Sequence, residues 1–152
     1  MTEAALTQWG VITADELLAL GQQALANQTF SVLLGAQLVA LSPQHTELVI
    51  PVRPDFYQHH GFVHGGVIGY AADNTLGIVG AAVLGPSVVS AEYKINFVQP
   101  ARGEKLIARG TVIAAGKRQA VCRCDVFVVD GAHEYLCATA QGTIVKRGKD
   151  DL

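Results

Sequence analysis

The sequence has 152 residues, of which 50% are hydrophobic and 16% are charged, and this length is typical of a single folded domain. The formal net charge is −2, so the molecule as a whole lacks the basic field that nucleic-acid binding needs, and we expect no nucleic-acid partner. The first basic residue is Arg53, whereas a secretory signal begins with a positively charged segment. We therefore expect a cytoplasmic protein.

The charges are unevenly spread along the chain. Residues 1–60 hold one basic residue against five acidic ones, residues 61–91 hold only Asp73, and residues 92–152 hold ten basic residues against seven acidic ones. The basic surplus of the last segment has two interpretations. It attracts a polyanionic ligand to one rim of the molecule, or it is solubilising charge scattered over the surface.

The three cysteines are Cys122, Cys124 and Cys137. Cys122 and Cys124 are two residues apart and would share one face of a strand, where a disulfide between them has poor geometry. We predict reduced thiols that pack in the interior. A zinc pair is the rival interpretation, but the sequence has no second paired motif, and no acid or cysteine completes a ligand set with the histidines, so we expect no metal.

The N-terminal segment, residues 1–34, is predicted to be helical and to pack on the domain that follows. Thr13-x-x-Glu16 has the pattern of a capping box, and the leucines after it supply an apolar side. From Leu33 to Val52, apolar residues flank the turn-like Ser42-Pro43-Gln44, which predicts a pair of strands. The main domain is expected over residues 35–146, followed by a charged tail over residues 147–152.

A long buried helix is predicted from Gly65 to Leu84. This stretch is apolar except for Asp73, and Gly85-Pro86 combines a C-cap glycine with a helix stop. Glycines and Asn74 interrupt it more often than a membrane span allows. We therefore expect a core helix and no membrane partner.

After this helix the hydrophobic period changes to two, which is the pattern of strands. Ala91 to Phe97 alternate between an apolar and a polar face, and further strands are predicted over residues 106–115, 119–129 and 134–145. The sequence therefore predicts an α+β domain in which an antiparallel sheet wraps around one long central helix. Because that helix is apolar almost all round, a second subunit is the natural cover for the side that the sheet leaves open.

Two features of the helix indicate chemistry. A carboxylate such as that of Asp73 is costly in an apolar helix unless it is paired, hydrogen-bonded or protonated, so it either bonds across an interface with Asn74 or acts as a tuned base or nucleophile. His64-Gly65-Gly66 forms a glycine-rich helix entry whose unpaired N–H groups polarise a carbonyl oxygen. The structural alternative is that the glycines give room to turn and His64 satisfies a backbone group.

Together, His64-Gly65-Gly66, Asp73-Asn74, Gln99-Pro100-Ala101 and Gly116-Lys117-Arg118 resemble the hotdog-fold acyl-CoA thioesterases, in particular the phenylacetate-pathway type. The resemblance covers residues 35–146. It implies a hotdog fold and the hydrolysis of an acyl-CoA to a free acid and CoA, with no cofactor. It also implies a homodimer that assembles into a homotetramer.

The resemblance further implies roles for individual residues. Asp73 resembles the general base or nucleophile, Gly65 the amide that holds the thioester oxygen, Gln58 a side chain near the same carbonyl, and Ser90 a hydroxyl that helps to hold the attacking water. Because CoA carries phosphates, basic residues are expected at its binding site, although each of them has ordinary surface charge as the alternative. The expected substrate-binding residues are His64, Gly66, Asn74, Arg102, Lys117 and Arg118, with Lys146 and Arg147 as further basic candidates.

The spacing of Gly65 and Asp73 adds a geometric constraint. Eight residues of helix separate them by about 12 Å, too far to reach the two sides of one thioester carbon. Each active site is therefore expected to combine the helix entry of one subunit with Asp73 of another.

Two other functions stay open: a hotdog-fold dehydratase, which would need a catalytic histidine such as His64, and a non-catalytic acyl-CoA-binding protein.

Overall fold

The structure is a computed structural model that describes residues 5–7 and 9–148. Its N-terminal part starts with a hairpin of β1 (Ala5–Thr7) and β2 (Gly10–Ile12), followed by helices α1 (Ala14–Ala26) and α2 (Thr29–Leu34). The predicted capping box starts α1, because Thr13 Oγ1 accepts from the Glu16 N–H at 3.2 Å and Glu16 Oε2 accepts from the Thr13 N–H at 2.8 Å. The last residues of the charged tail, 149–152, lie outside the described part.

The predicted strand pair is confirmed, but it begins later than expected. Residues up to Leu34 belong to α2, which ends at Gly35 with a φ of +69° that favours glycine. The strands are β3 (Gln37–Leu41) and β4 (His45–Pro51), and Ser42 Oγ accepts from the His45 N–H at 3.0 Å in the turn between them. The expectation of a strand from Leu33 was wrong because apolar residues at 32–34 fit a helical turn as well as a strand.

The remaining strands are β5 (Val88–Phe97), β6 (Lys105–Ala115), β7 (Gln119–Asp130) and β8 (His133–Lys146), each within two or three residues of its predicted bounds. They form one antiparallel sheet with β3 and β4, in the order β3-β4-β6-β7-β8-β5. Among the described strands β5 pairs only with β8, so its other edge is free. Its side chains are largely exposed in the single chain.

The central helix α3 spans Gly65–Leu84, as predicted. It packs against one face of the sheet, with Leu76 and Val79 fully buried. Gly80 allows a close approach to the sheet, since a Cβ there would lie 2.8 Å from Ile144 on β8. By length and composition α3 could span a bilayer. However, 56% of its most apolar 18-residue stretch is buried inside the fold, as in the core helix of a folded domain. The α+β architecture of a sheet wrapped around one helix is confirmed.

All three cysteines are free and buried on β7 and β8, as the sequence predicted. Burial is the main cause that raises the pKa of Cys122 to about 11, of Cys124 to about 12 and of Cys137 to about 11. Thiols with such pKa values stay protonated near neutral pH, so they act as packing groups.

Candidate active site

Asp73 meets Ser90 at the side of α3 that the sheet leaves open. The turn at Gly85 and Pro86 folds β5 back along α3, and Ser90 Oγ donates a hydrogen bond of 2.7 Å to Asp73 Oδ1. Asp73 is half-buried. Among residues 9–148, no basic side chain lies within 4.0 Å of its carboxylate. We call Asp73 and Ser90 the acid half-site; its carboxylate has no ion-pair partner among the described residues.

The acid half-site borders a cavity of about 270 Å³ between α1, α3 and the start of β5. Asn74 lines the same cavity and donates from Nδ2 to the Tyr70 hydroxyl at 3.0 Å. Tyr70 in turn donates to the buried Ser31 on α2 at 2.6 Å. Tyr70 and Ser31 were not predicted from the sequence as partners of this region. The spacing of Tyr70 and Asn74, one helical turn apart, was the available signal.

The helix entry is capped by its own histidine. His64 Nδ1 accepts from the Gly66 N–H at 2.8 Å, and the His64 carbonyl accepts from the Val67 N–H at 2.9 Å. Gly65 lies between them, and its N–H has no acceptor in the described part of the chain. The structure thus gives His64 and Gly66 a capping contact and leaves the Gly65 amide as the open donor. The substrate-binding roles of His64 and Gly66 stay predictions.

Gln58 lies beside Gly65 in a second cleft, of about 390 Å³, which Phe97 and Ala101 also line. Its side-chain Oε1 accepts from the His60 N–H. This contact leaves the Nε2 group as the free end of the amide, with no acceptor among the described residues. We call Gln58 and Gly65 the amide half-site, because it presents two N–H donors to one cleft.

The predicted basic residues divide between two places. Arg102 lies beside the amide half-site, where its Nε donates to the Gly61 carbonyl at 3.1 Å and its guanidinium lies 5.1 Å from the centre of the Phe62 ring. Lys117 and Arg118 form the turn between β6 and β7, and the Arg118 carbonyl accepts from the Lys146 N–H at 2.8 Å. Arg147 follows and donates its N–H to the Ser87 carbonyl at 3.0 Å, so these four residues flank the start of β5.

Within one chain the two half-sites stay apart. The helix between Gly65 and Asp73 is unbroken, so its rise of 1.5 Å per residue separates them by about 12 Å along the axis. The structure therefore brings Gln58 to Gly65 and Ser90 to Asp73, but it does not bring these pairs together. Within one chain, the Asp73 carboxylate and the Gly65 amide therefore cannot both contact one thioester carbon.

Comparison with known sequences places this geometry in a class of enzymes. The sequence profile of the thioesterase superfamily matches residues 60–134. The "Putative esterase" of Deinococcus radiodurans is 30% identical over 122 residues, which cover 80% of this chain and 81% of the relative. The medium/long-chain acyl-CoA thioesterase YigI of Escherichia coli is 25% identical over 134 residues, which cover 76% of this chain and 86% of the relative.

Solved structures agree in fold. A thioesterase family protein from Silicibacter pomeroyi superposes with a TM-score of 0.79 at 27% identity, covering 82% of this chain and 93% of its own. A thioesterase from Haemophilus influenzae does so with 0.74 at 26% identity, covering 93% and 94%. The PaaI protein of Escherichia coli shares the fold, with 0.77 at 18% identity and coverage of 90% and 97%.

These similarities define a thioester hydrolase of the hotdog fold, with the PaaI-like arrangement of sheet and helix. The chain belongs to the thioesterase superfamily. The matched residues 60–134 include the helix entry, Asp73 and Ser90.

Proposed function

We propose that the protein hydrolyses acyl-CoA thioesters to a free acid and CoA, with Asp73 as general base or nucleophile. The observation that supports this proposal is the acid half-site. Its carboxylate has no ion-pair partner among the described residues, accepts a hydrogen bond from Ser90 and lies on the wall of a largely apolar cavity. The name of the Escherichia coli relative YigI, a medium/long-chain acyl-CoA thioesterase, supports the substrate class.

In the general-base route, Asp73 takes a proton from a water held by Ser90, and the water oxygen bonds to the thioester carbon. The carbonyl becomes an oxyanion, which the Gly65 N–H and the Gln58 amide stabilise by hydrogen bonds. The C–S bond then breaks, and the CoA thiolate leaves and takes up a proton. In the nucleophilic route, the carboxylate attacks first and water hydrolyses the resulting anhydride, with the same products.

The exposed edge of β5 supports a site shared by two subunits. Ser90 and Phe97 lie at opposite ends of this strand, and a Cβ at Gly65 would lie 3.3 Å from the Phe97 ring. If two β5 edges pair antiparallel about an axis near Tyr93 and Lys94, Ser90 of one chain lies opposite the partner's Phe97. This pairing brings the acid half-site of one subunit to the amide half-site of the other.

The apolar side chains at this edge also favour pairing. Tyr93 is 37% exposed and Phe97 56% exposed in the single chain, and a long unpaired strand edge is a template for another strand. We therefore propose a homodimer with two equivalent sites. Assembly of dimers into a homotetramer stays a prediction.

The basic residues supply the expected partners of the CoA phosphates. Lys117, Arg118, Lys146 and Arg147 flank the start of β5, close to the acid half-site, and Arg102 lies at the amide half-site. In the proposed dimer both groups border the same active site, which suits a polyanionic leaving group.

The proposed reaction uses no cofactor and no metal. The three free thiols favour the reducing cytoplasm as the location of the protein.

A thiol-release assay over aryl, short-chain and long-chain acyl-CoAs tests the proposed function. We expect turnover with at least one class and loss of turnover in Asp73→Asn, with acyl-CoA binding retained. Binding without turnover in the wild-type protein would instead identify an acyl-CoA-binding protein. Dehydration of a 3-hydroxyacyl-CoA without thiol release would identify a dehydratase.

A further inference from the structure

The cavity between α1 and α3 has a charged residue only where it meets the acid half-site. Of the residues that line it, Asp73 is the one that carries a charge, and Gln28, Asn74 and Ser90 are the other polar members near that end. The rest of the wall comes from apolar side chains and glycines of α1, α3 and β5. An uncharged, elongated group that reaches Asp73 by one end fits this lining.

Trp9 lines the cavity at a distance from Asp73. Its indole N–H donates to the Ala81 carbonyl on α3 at 3.0 Å, and its ring packs against the core. Ala81 lies eight residues after Asp73 on the same helix, which places this contact about 12 Å along the axis. Trp9 is thus fixed where it can stop a chain that enters beside Asp73.

Gly77 keeps the middle of the cavity open. It lies one turn after Asp73 on the same side of α3, and a Cβ there would meet no atom within 4 Å. Packing therefore does not explain a glycine at this position, although glycine is unfavourable in the interior of a helix. Gly80 provides the contrast, because a Cβ there would lie 2.8 Å from Ile144.

We propose that this cavity holds the acyl chain of the substrate, that the chain is aliphatic and of medium length, and that Gly77 and Trp9 determine the length accepted. The inference rests on the proposed acyl-CoA hydrolysis.

The distance from Asp73 to Ala81 gives the expected chain length. An extended alkyl chain advances about 1.25 Å per carbon, since C–C bonds are near 1.5 Å and bent at about 111°, so the distance of about 12 Å along the helix axis admits about nine or ten carbons.

The test measures kcat/KM for straight-chain acyl-CoAs of 4, 8, 10 and 14 carbons, by thiol release, in the wild type and in Gly77→Leu. We expect the wild type to prefer about 8 to 10 carbons, because each buried methylene contributes a factor of about four. Gly77→Leu should lose at least about tenfold with decanoyl-CoA and change less than about threefold with butanoyl-CoA. Trp9→Ala should move the preference toward 14 carbons.

Gln23→Leu is the matched control, since it adds the same side chain to an exposed position of α1 outside the cavity. It should leave the chain-length profile unchanged. If Gly77→Leu fails to fold, Gly77→Ala replaces it in the measurement. Gly77→Ala should shift the preference to shorter acyl chains. Equal losses at all chain lengths in the Gly77 variants, with or without dissociation of the oligomer on gel filtration, would overturn the inference.

A binding measurement tests the cavity assignment independently of the proposed hydrolysis. In Asp73→Asn, which should not turn over, decanoyl-CoA should bind at least about tenfold more tightly than acetyl-CoA, and Gly77→Leu in the same background should abolish the difference. Equal affinity for both ligands contradicts the cavity assignment even if the wild type hydrolyses acyl-CoA. Tight decanoyl-CoA binding without wild-type thiol release would refute the proposed hydrolysis and leave the cavity assignment standing.

Discussion

Ser90 Oγ lies 2.7 Å from Asp73 Oδ1 and donates a hydrogen bond to it. This contact joins the start of the edge strand to the middle of the central helix and fixes the orientation of the carboxylate. The other oxygen, Oδ2, has no donor within hydrogen-bond distance in the described part of the chain. One oxygen is therefore held by the protein, and the other is free to accept a proton from water.

Asp73→Asn should lower kcat by at least about 10²-fold, the lower range for the loss of a general base. Asparagine keeps the size of the side chain and an oxygen for Ser90, but it removes basicity and negative charge, so a purely structural role would survive the change. Steady-state thiol release measures kcat, and thermal unfolding checks the fold. Asp130→Asn, the same change at an exposed position at the end of β7, should have normal activity.

Ser90→Ala should lower kcat about tenfold and change KM less than about threefold. The variant removes one hydrogen bond to a charged group, whose contribution is of that order, while the acyl and CoA contacts remain. Ser87→Ala removes a nearby exposed hydroxyl that does not bond Asp73, and it should match the wild type. An equal effect of the two variants would argue against a positioning role for Ser90.

The central helix could be predicted from the sequence because residues close to each end determine where it begins and where it ends. His64 and Gly65 begin it, Gly85 and Pro86 end it, and the apolar run between them has one charged residue, Asp73. The later strands were also predictable, since their alternating pattern and glycine turns are local signals. Asp73 could likewise be singled out from the sequence alone, because it is the one charged residue of this helix.

What the sequence did not predict depends on contacts between distant segments. The hairpin of β1 and β2 has only three residues in each strand, too few for a periodic pattern. The cavity beside Asp73 forms only when α1 packs against α3, so Gly77 has no distinguishing mark in the sequence among sixteen glycines. Trp9 and Ala81 are 72 residues apart in the sequence, so no local pattern predicts their contact.

The stability of the protein should fall as the pH rises above 9. In the folded chain burial raises the pKa of Cys122 to about 11, of Cys124 to about 12 and of Cys137 to about 11, from an ordinary value of 9.0. Above pH 9 the unfolded chain loses these protons while the folded chain keeps them, so the free energy of unfolding decreases until the folded thiols titrate. The slope approaches about 1.4 kcal/mol per pH unit for each thiol.

Urea unfolding at pH 7.5, 9.0 and 10.5 measures this dependence. Cys137→Ala should be less stable at every pH but should show a shallower decline, because it removes one of the three titrating thiols. An identical pH dependence in the variant and the wild type would contradict the assignment to cysteine. At pH 7.5, well below the pKa of the unfolded thiols, the thiols should contribute almost nothing to the pH dependence.

The shared active site predicts that two inactive variants restore activity when they are combined. Asp73→Asn damages the acid half-site, and Gly65→Pro damages the amide half-site by removing its N–H. Proline is tolerated at the first position of a helix, and His64 before it has φ −60° and ψ 137°, a conformation that suits a residue preceding proline. Gly65→Ala is the matched control, because it brings a Cβ to the same place beside Phe97 but keeps the N–H.

Each variant homodimer should be inactive on its own, whereas Gly65→Ala should retain most of its activity. In a heterodimer of Asp73→Asn and Gly65→Pro, one site contains both changes and the other contains neither. The activity should therefore return to as much as about half of the wild-type value per dimer if the sites are independent. Heterodimers isolated through two different affinity tags allow the measurement, with thiol release as the readout. If isolated heterodimers stay inactive while Gly65→Ala is active, the acid and amide half-sites do not meet across a subunit interface, and Asp73 acts with groups of its own chain.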